Sequence, residues 1–291
     1  MPDYFFDLHL HSCLSPCGGE EMTPCDLAAM CALAGLQIVA LTDHNTAGNC
    51  AAFCAAARRC GLLALPGMEL TTREELHVVC LFPGLAEAEA FSRTVRALLP
   101  PIPNDPAVFG PQLLMDDRDR ILGEETALLA GAADIGVYEA ARAVEALGGV
   151  AYPAHIDRPS FSLLASLGLW DPALGFPLAE ISPHCPPELL RRRDLAGVRT
   201  ITACDAHYLH QIPDAHQTMP LPALTPEAVL EWLRRSGRRP SPPSQLSARP
   251  VARHLPAPSP PQGGLDLFSA LIPLSFVPKL RLFCWEFGKF L

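Results

Sequence analysis

The sequence predicts an α/β fold, a seven-stranded (β/α) barrel, and three observations predict it. Short apolar runs alternate with helix-like stretches through the first 210 residues, seven of these runs have strand character, and polar residues gather at the ends of those strands. The segments YFFDLHL, QIVALTD, LLALPGMEL, LHVVCLF, GGVAYPAH, LAEISPH and VRTITACDAH each read as a buried strand closing on polar side chains. Between them, residues 24–34, 47–60, 86–99 and 137–147 are rich in Ala, Leu, Glu and Arg and read as helices. Thr23 is the expected N-cap of the first helix with Pro24 at its first position, and Gly35 and Gly61 are expected to stop helices. Repeated alternation of strand and helix expects parallel strands joined by crossovers, and in a barrel of that kind the active site lies at the carboxyl ends of the strands. Residues 100–136, from PPIPNDP through MDDRDRILGEE, interrupt the alternation and read as an insertion beside the site, helical in its second half.

Composition changes near Gly237. From Pro240 to Pro261 the chain carries eight prolines, several serines and almost no apolar side chains, which describes an extended linker. The expected organisation is a metallohydrolase domain over 1–237, a disordered Pro/Ser-rich linker over 238–264, and an apolar tail over 265–291. The tail reads either as a segment that docks on the domain or is poorly ordered, or as one that meets an interface or a partner.

With 291 residues and 49% hydrophobic content the chain has the means to bury a substantial core. A net charge of −9 argues against a broad basic face that grips duplex DNA, and leaves room for a small phosphorylated ligand or a single-stranded end. Eleven cysteines stand in a sequence whose start, MPDYFFDLHLH, has no basic, apolar and cleavage regions of a signal peptide; a reducing cytoplasm is therefore expected. No apolar run reaches the ~18 residues of a spanning helix. There is no CxxC pair, no glycine-rich phosphate loop and no GxSxG elbow, so structural cysteine-zinc, nucleoside-triphosphate and serine-hydrolase readings lose their main support.

Chemistry is carried by histidines and carboxylates. In Asp7-Leu8-His9-Leu10-His11 the two histidines lie two apart at a strand end, so both imidazoles leave one face and reach one metal ion. Asp205-Ala206-His207 repeats this placement after ITAC. Asp43 and His44 follow IVALT, Glu69 follows LALPGM, His77 precedes VVCLF and His155 follows VAYPA. A barrel gathers such ends into one pocket, where imidazole and carboxylate suit zinc, manganese or iron, and a shared carboxylate bridges two ions.

As an ordered set, DLHLHS, TDHN, GME, AH and CDAH resemble the polymerase-and-histidinol-phosphatase (PHP) family, and the resemblance covers residues 3 to about 212. It implies a distorted seven-stranded barrel holding two or three divalent metal ions. His9, His11, Glu69 and Asp205 would hold the first; Glu69, bridging, with His77 and His155 would hold the second. Members with a third ion use the histidines of TDH and DAH, here His44 and His207, with an aspartate five residues after the second histidine of HxH. That position is Pro16, which offers no ligand atom. Cys13 and Cys17 flank it, either as a substitute thiolate or as small buried or loop thiols. Asp43 is expected to orient a ligand rather than to bind metal. Arg73 and Arg158 are candidates to anchor a phosphate, with a structural ion pair as the alternative for each. His184 is a candidate to line the pocket, while His210, His216 and His254 read as loop residues.

The function implied is phosphoester hydrolysis by a metal-activated water held by Glu69, His155 and Asp205, on nucleotides or the 5′ ends of oligonucleotides. A histidinol-phosphatase-like activity on small phosphate monoesters, C–N bond hydrolysis of the amidohydrolase kind, and a non-catalytic regulatory PHP module are the alternatives, the last supported by Pro16.

Overall fold

Three parallel strands joined by two helices open the chain. In the computed structural model, which describes residues 1–16 and 18–235, these are β1 (Asp3–Leu10), α1 (Pro24–Leu33), β2 (Ile38–Leu41), α2 (Cys50–Arg59) and β3 (Leu63–Thr71). Cys17, His254, the linker at 238–264 and the tail at 265–291 lie outside the described residues. Thr23 caps α1 by accepting from Asp26 N at 3.3 Å, and Gly35 and Gly61 follow α1 and α2 at φ 81° and 77°, a region that favours glycine. The chain continues through β4 (His77–Leu81), α3 (Leu85–Leu98), α4 (Pro106–Phe109), β5 (Leu113–Met115), β6 (Ile121–Glu124), α5 (Val137–Ala146) and β7 (Val150–Pro153). The described residues close with α6 (Leu163–Leu167), β8 (Ala179–Ile181), β9 (Thr200–Thr202), β10 (Thr218–Pro220) and α7 (Pro226–Arg234). Among the described residues no helix is long and apolar enough to cross a membrane.

Six strands form one curled sheet in the order β10-β1-β2-β3-β4-β7, and β8 and β9 form a parallel pair. The expectation of uniformly parallel strands is corrected at β4, which runs antiparallel to both β3 and β7. The cause is length: only residues 72–76 join β3 to β4, closed by Thr72 N to Leu76 O at 3.0 Å with Glu75 at φ 57°. A parallel return needs a crossover of about a dozen residues or more. The same hairpin puts His77 opposite Thr71, so a residue that begins its strand lies at the end of the sheet where β3 finishes. Single hydrogen bonds tie the β8–β9 segment to both sides of the large sheet: Ile156 N to Glu180 O at 2.9 Å, Asp205 N to His9 O at 3.1 Å and His11 N to Ala206 O at 3.1 Å.

Alternation along the strands divides the core in two. Phe6, Leu8, Ile38, Ala40, Leu65, Val79, Leu81 and Tyr152 pack inside the curl of the sheet with Val229, Leu230 and Leu233 of α7. Val39, Leu41, Met68, Leu70, Val78 and Cys80 meet Leu27, Phe53, Phe91 and Val144 of the surrounding helices. In β1 the register against β2 shifts between Asp7 and Leu10, and Leu10 joins the helix-side cluster although Phe6 and Leu8 lie inside. The irregularity hands the inward-facing parity to His9 and His11.

The insertion differs from expectation. Its first part holds the short α4 and its middle is the β5–β6 hairpin, while residues 125–136 form no helix. In the turn, Asp116 Oδ1 accepts from Arg118 N and Arg120 N at 2.9 Å and Asp119 stands at φ 58°. That aspartate-closed turn competes with helix, and the charge-rich MDDRDR becomes a hairpin tip. Two buried amide side chains, Asn45 and Asn49, staple the insertion to the loops after β1 and β2, and a third, Gln112, ties the insertion to itself. Asn45 donates to Leu129 O and Gly131 O, Gln112 donates to Ala127 O and accepts from Leu129 N, and Asn49 donates to Ser12 Oγ and Leu113 O.

Candidate metal centre

The eight ligand-type residues arrive from six strands and the loops beside them. His9 and His11 come from β1 and its end, His44 from the loop after β2, Glu69 from β3 and His77 from the start of β4. His155 follows β7, and Asp205 and His207 follow β9. All eight are buried, Asp205 being the most exposed at 5%. His155 at φ 28° and Asp205 at φ 51° have left the strand conformation. Such positions cost on the order of 1–3 kcal/mol each and persist where the surroundings over-determine them.

Glu69 stands at the middle. Its Oε2 lies 3.4 Å from His9 Nε2, 3.3 Å from His11 Nε2 and 3.1 Å from His44 Nδ1. Its Oε1 lies 2.8 Å from His77 Nδ1 and 3.0 Å from His155 Nε2. Asp205 Oδ1 is 3.2 Å from His9 Nε2 and 2.9 Å from His11 Nε2, and its Oδ2 meets Arg158 Nη1 at 2.8 Å. Donor atoms gather into three overlapping groups: His9, His11, Glu69 and Asp205; His44, Glu69 and His77; and His11, His44 and His207. Where the resemblance led to an aspartate at position 16, Pro16 is buried and His11 completes a group with His44 and His207.

Charge follows from this crowding. Burial raises the Glu69 carboxyl, yet the imidazoles of His77, His9 and His44 hold it well below the usual carboxylate range. Asp205 is likewise pushed up by burial and held well down by Arg158 and His9. Burial pushes His44 well below its ordinary value and, aided by His11, takes His207 to about 3. His9 is depressed by burial but raised well above its ordinary value by Glu180, Asp205 and Glu69.

These donors suit a divalent cation. Glu69 Oε2 and Asp205 Oδ1 are buried acceptors without a hydrogen bond of good geometry, although each is ringed by imidazole nitrogens. His9 Nε2 and His11 Nε2 face each other at 3.1 Å while their Nδ1 atoms point to oxygen, so a cation that displaced the proton at Nε2 would meet two lone pairs converging on one point.

Around the cluster lie groups that hold it. Asp43 does not face the cluster with its own oxygens: it accepts from Ser12 N at 2.6 Å, Ser12 Oγ at 2.7 Å and Ser15 Oγ at 2.7 Å. Ser15 Oγ lies 2.8 Å from His11 Nδ1, completing a chain from imidazole to carboxylate. Glu180 on β8, which sequence reasoning did not single out, contacts His9 Nδ1 at 2.9 and 3.0 Å through its two oxygens. A lone carboxylate inside the apolar run LAEIS was the available signal; Ser15 carried none. Phe161, at φ 51°, stacks on His77 with ring centroids 5.0 Å apart.

Other candidates stand elsewhere. Arg73 binds Asp134 at 2.6 Å with its side chain half exposed, so the ion-pair alternative describes it. Cys13 packs among Leu113 and Met115, 3.6 Å from the Met115 sulfur, and burial pushes its thiol up to about 12; it fits the small buried thiol, not a thiolate ligand. His184, His210 and His216 are exposed.

Residues 7–118 match the family model described as the PHP domain. Three solved structures share the fold. The lesion-specific endonuclease Q of Pyrococcus furiosus is 15% identical with a TM-score of 0.57, the match covering 80% of this chain and 56% of that one. An endonuclease Q complex with a 27-mer duplex bearing an abasic lesion at the active site is 16% identical, TM-score 0.54, with 79% and 56% covered. A protein assigned as a metal-dependent phosphoesterase from Bifidobacterium adolescentis is 21% identical, TM-score 0.50, with 69% and 87% covered. This chain thus spans 56% of the length of endonuclease Q, and at such identities the likeness is one of fold. No curated protein matches the chain.

Proposed function

We propose that the chain, whose residues 7–118 match the PHP-domain model, is a metal-dependent phosphoesterase of that family acting on nucleotides or on the 5′ ends of oligonucleotides, with its strands closed into a distorted seven-stranded barrel. The observation that carries this reading is the Glu69 carboxylate, whose two oxygens face two different sets of imidazoles 2.8 to 3.4 Å away. In this reading His9, His11, Glu69 and Asp205 hold one divalent ion and Glu69, His77 and His155 a second. His44 and His207, with His11 near them, would serve a third. Bound zinc, manganese or iron supplies Lewis acidity, making hydroxide available from water near neutral pH and neutralising charge on phosphoryl oxygens.

The chain's own residues do the rest. Asp205 and Glu69 stay ionised well below neutral pH and keep the centre's donor charge. Arg158, with its side chain 31% exposed, brings positive charge to the edge of the cluster through Asp205 and suits a phosphate oxygen. No lysine precedes Lys279, so arginine is the fixed cation over the whole described region, and its planar fork favours phosphate recognition. The leaving oxygen would take its proton from solvent or from a histidine of the pocket.

The test pairs metal content with phosphate release from nucleotides and 5′-phosphorylated oligonucleotides, with an abasic 27-mer duplex as a third substrate. Wild type is expected to hold two or more ions per chain, and Glu69→Gln and His155→Ala to lose more than about 100-fold in rate, beyond the loss typical of groups that only orient ligands. A metal-free, inactive wild type, indifferent to both substitutions, would favour the regulatory alternative and sink this one.

A further inference from the structure

We infer that Glu180 is a positioning residue for the metal centre: its carboxylate fixes the ring of His9 and the backbone of His155, so one side chain from β8 orients ligands delivered by β1 and β7. The inference deepens the metal-centre reading and rests on it.

The geometry is specific. Glu180 is 1% exposed, and both its oxygens lie within 3.0 Å of His9 Nδ1. A carboxylate accepts only, so Nδ1 carries the hydrogen and Nε2 is left for the ligand role. Nε2 is the atom that faces Glu69, Asp205 and His11. Glu180 Oε1 also accepts from His155 N at 3.2 Å, at the residue whose φ of 28° turns its ring toward Glu69. A bond to that amide over-determines an otherwise costly backbone conformation. The two histidines of HxH are thus anchored by different carboxylates, His11 through Ser15 to Asp43 and His9 directly to Glu180. A buried acid with no partner of this kind would be costly, which is why its contacts carry weight.

The test uses the full chain, Co²⁺ as the probe, and the variants Glu180→Ala and Glu180→Gln. The first readout is Co²⁺ affinity from the visible absorption of the bound ion. The second is the Nδ1–H proton of His9 in chain labelled with ¹⁵N-histidine, recorded with zinc and without it. Wild type should show a slowly exchanging, downfield Nδ1–H resonance. Glu180→Ala should lose that resonance and weaken Co²⁺ binding about 10- to 100-fold, with near-ultraviolet circular dichroism unchanged. Glu180→Gln retains one acceptor oxygen and should fall between. If Glu180→Ala does not fold, Glu180→Gln decides on the same two readouts. Wild-type Co²⁺ affinity and an intact His9 resonance in the folded variants would overturn the proposal. A wild type that binds no Co²⁺ would instead overturn the metal reading, so the two failures are distinct.

Discussion

Asp7 shows how one residue beside the histidine cluster couples burial to pH. It accepts from His9 N and Cys204 N at 3.1 Å each, yet burial raises its carboxyl from 3.8 to about 6. The folded chain therefore binds this proton more tightly than the unfolded chain does. The resulting stability is present below pH 3.8 and is lost as pH rises through about 6. The shift amounts to something on the order of 3 kcal/mol. Metal-free protein should lose stability to urea between pH 4.5 and 7.5 by more than Asp7→Asn does, because the amide cannot ionise. Equal pH slopes in the two proteins would show that Asp7 ionises freely. Much of the clustering was legible at this scale: strand-end HxH and DAH pairs declared their shared face, and seven of the eight ligand-type residues fall in three overlapping donor groups, with His155 3.0 Å from Glu69. Glu180 was not legible as a partner of His9, since 171 positions separate them and only the packing of β8 beside β7 brings them together.

Among elements, the insertion matters because it is tied to the site by side-chain amides. Asn49 Nδ2 donates to Ser12 Oγ and Leu113 O at 3.0 Å, and its Oδ1 accepts from Met115 N at 2.9 Å. Ser12 in turn holds Asp43, so the β5–β6 hairpin and the loop after β1 share one buried network. Asn49→Ala should destabilise the domain by about 2–3 kcal/mol, because it leaves buried backbone groups of the hairpin unsatisfied. Hydrogen exchange should quicken at Met115 N first; if instead the hairpin amides keep wild-type protection, the staple is not what holds it. The hairpin was hidden in the sequence because MDDRDR has helical charge spacing, and the decision fell to Asp116 closing a turn on the amides of Arg118 and Arg120. The reversal of β4 was hidden differently, in the five residues 72–76, too few for a crossover.

For the whole molecule, a candidate metal centre built from six strands and their flanking loops joins the two ends of the domain. His9 and Asp205 are 196 positions apart and their atoms lie 3.2 Å apart. An ion bound there stabilises the folded state alone, by about 2.7 kcal/mol at a free concentration 100 times its dissociation constant. Dialysis against a chelator should lower the melting temperature by roughly 5–10 °C for a domain of this size, and zinc should restore it. An unchanged melting temperature on removal of bound metal would separate the centre from the fold. Amino-acid order alone determined the alternation of strand and helix, the caps of the first helix and the residues that face the strand ends, because these follow from periods of 2 and 3.6 and from local backbone chemistry. Tertiary structure alone decided the surface pairing of Arg73 with Asp134 and the contact of Glu180 with His9. Both depend on which residues distant in sequence the fold sets side by side, and for Glu180 burial makes an unpaired polar group too costly to leave.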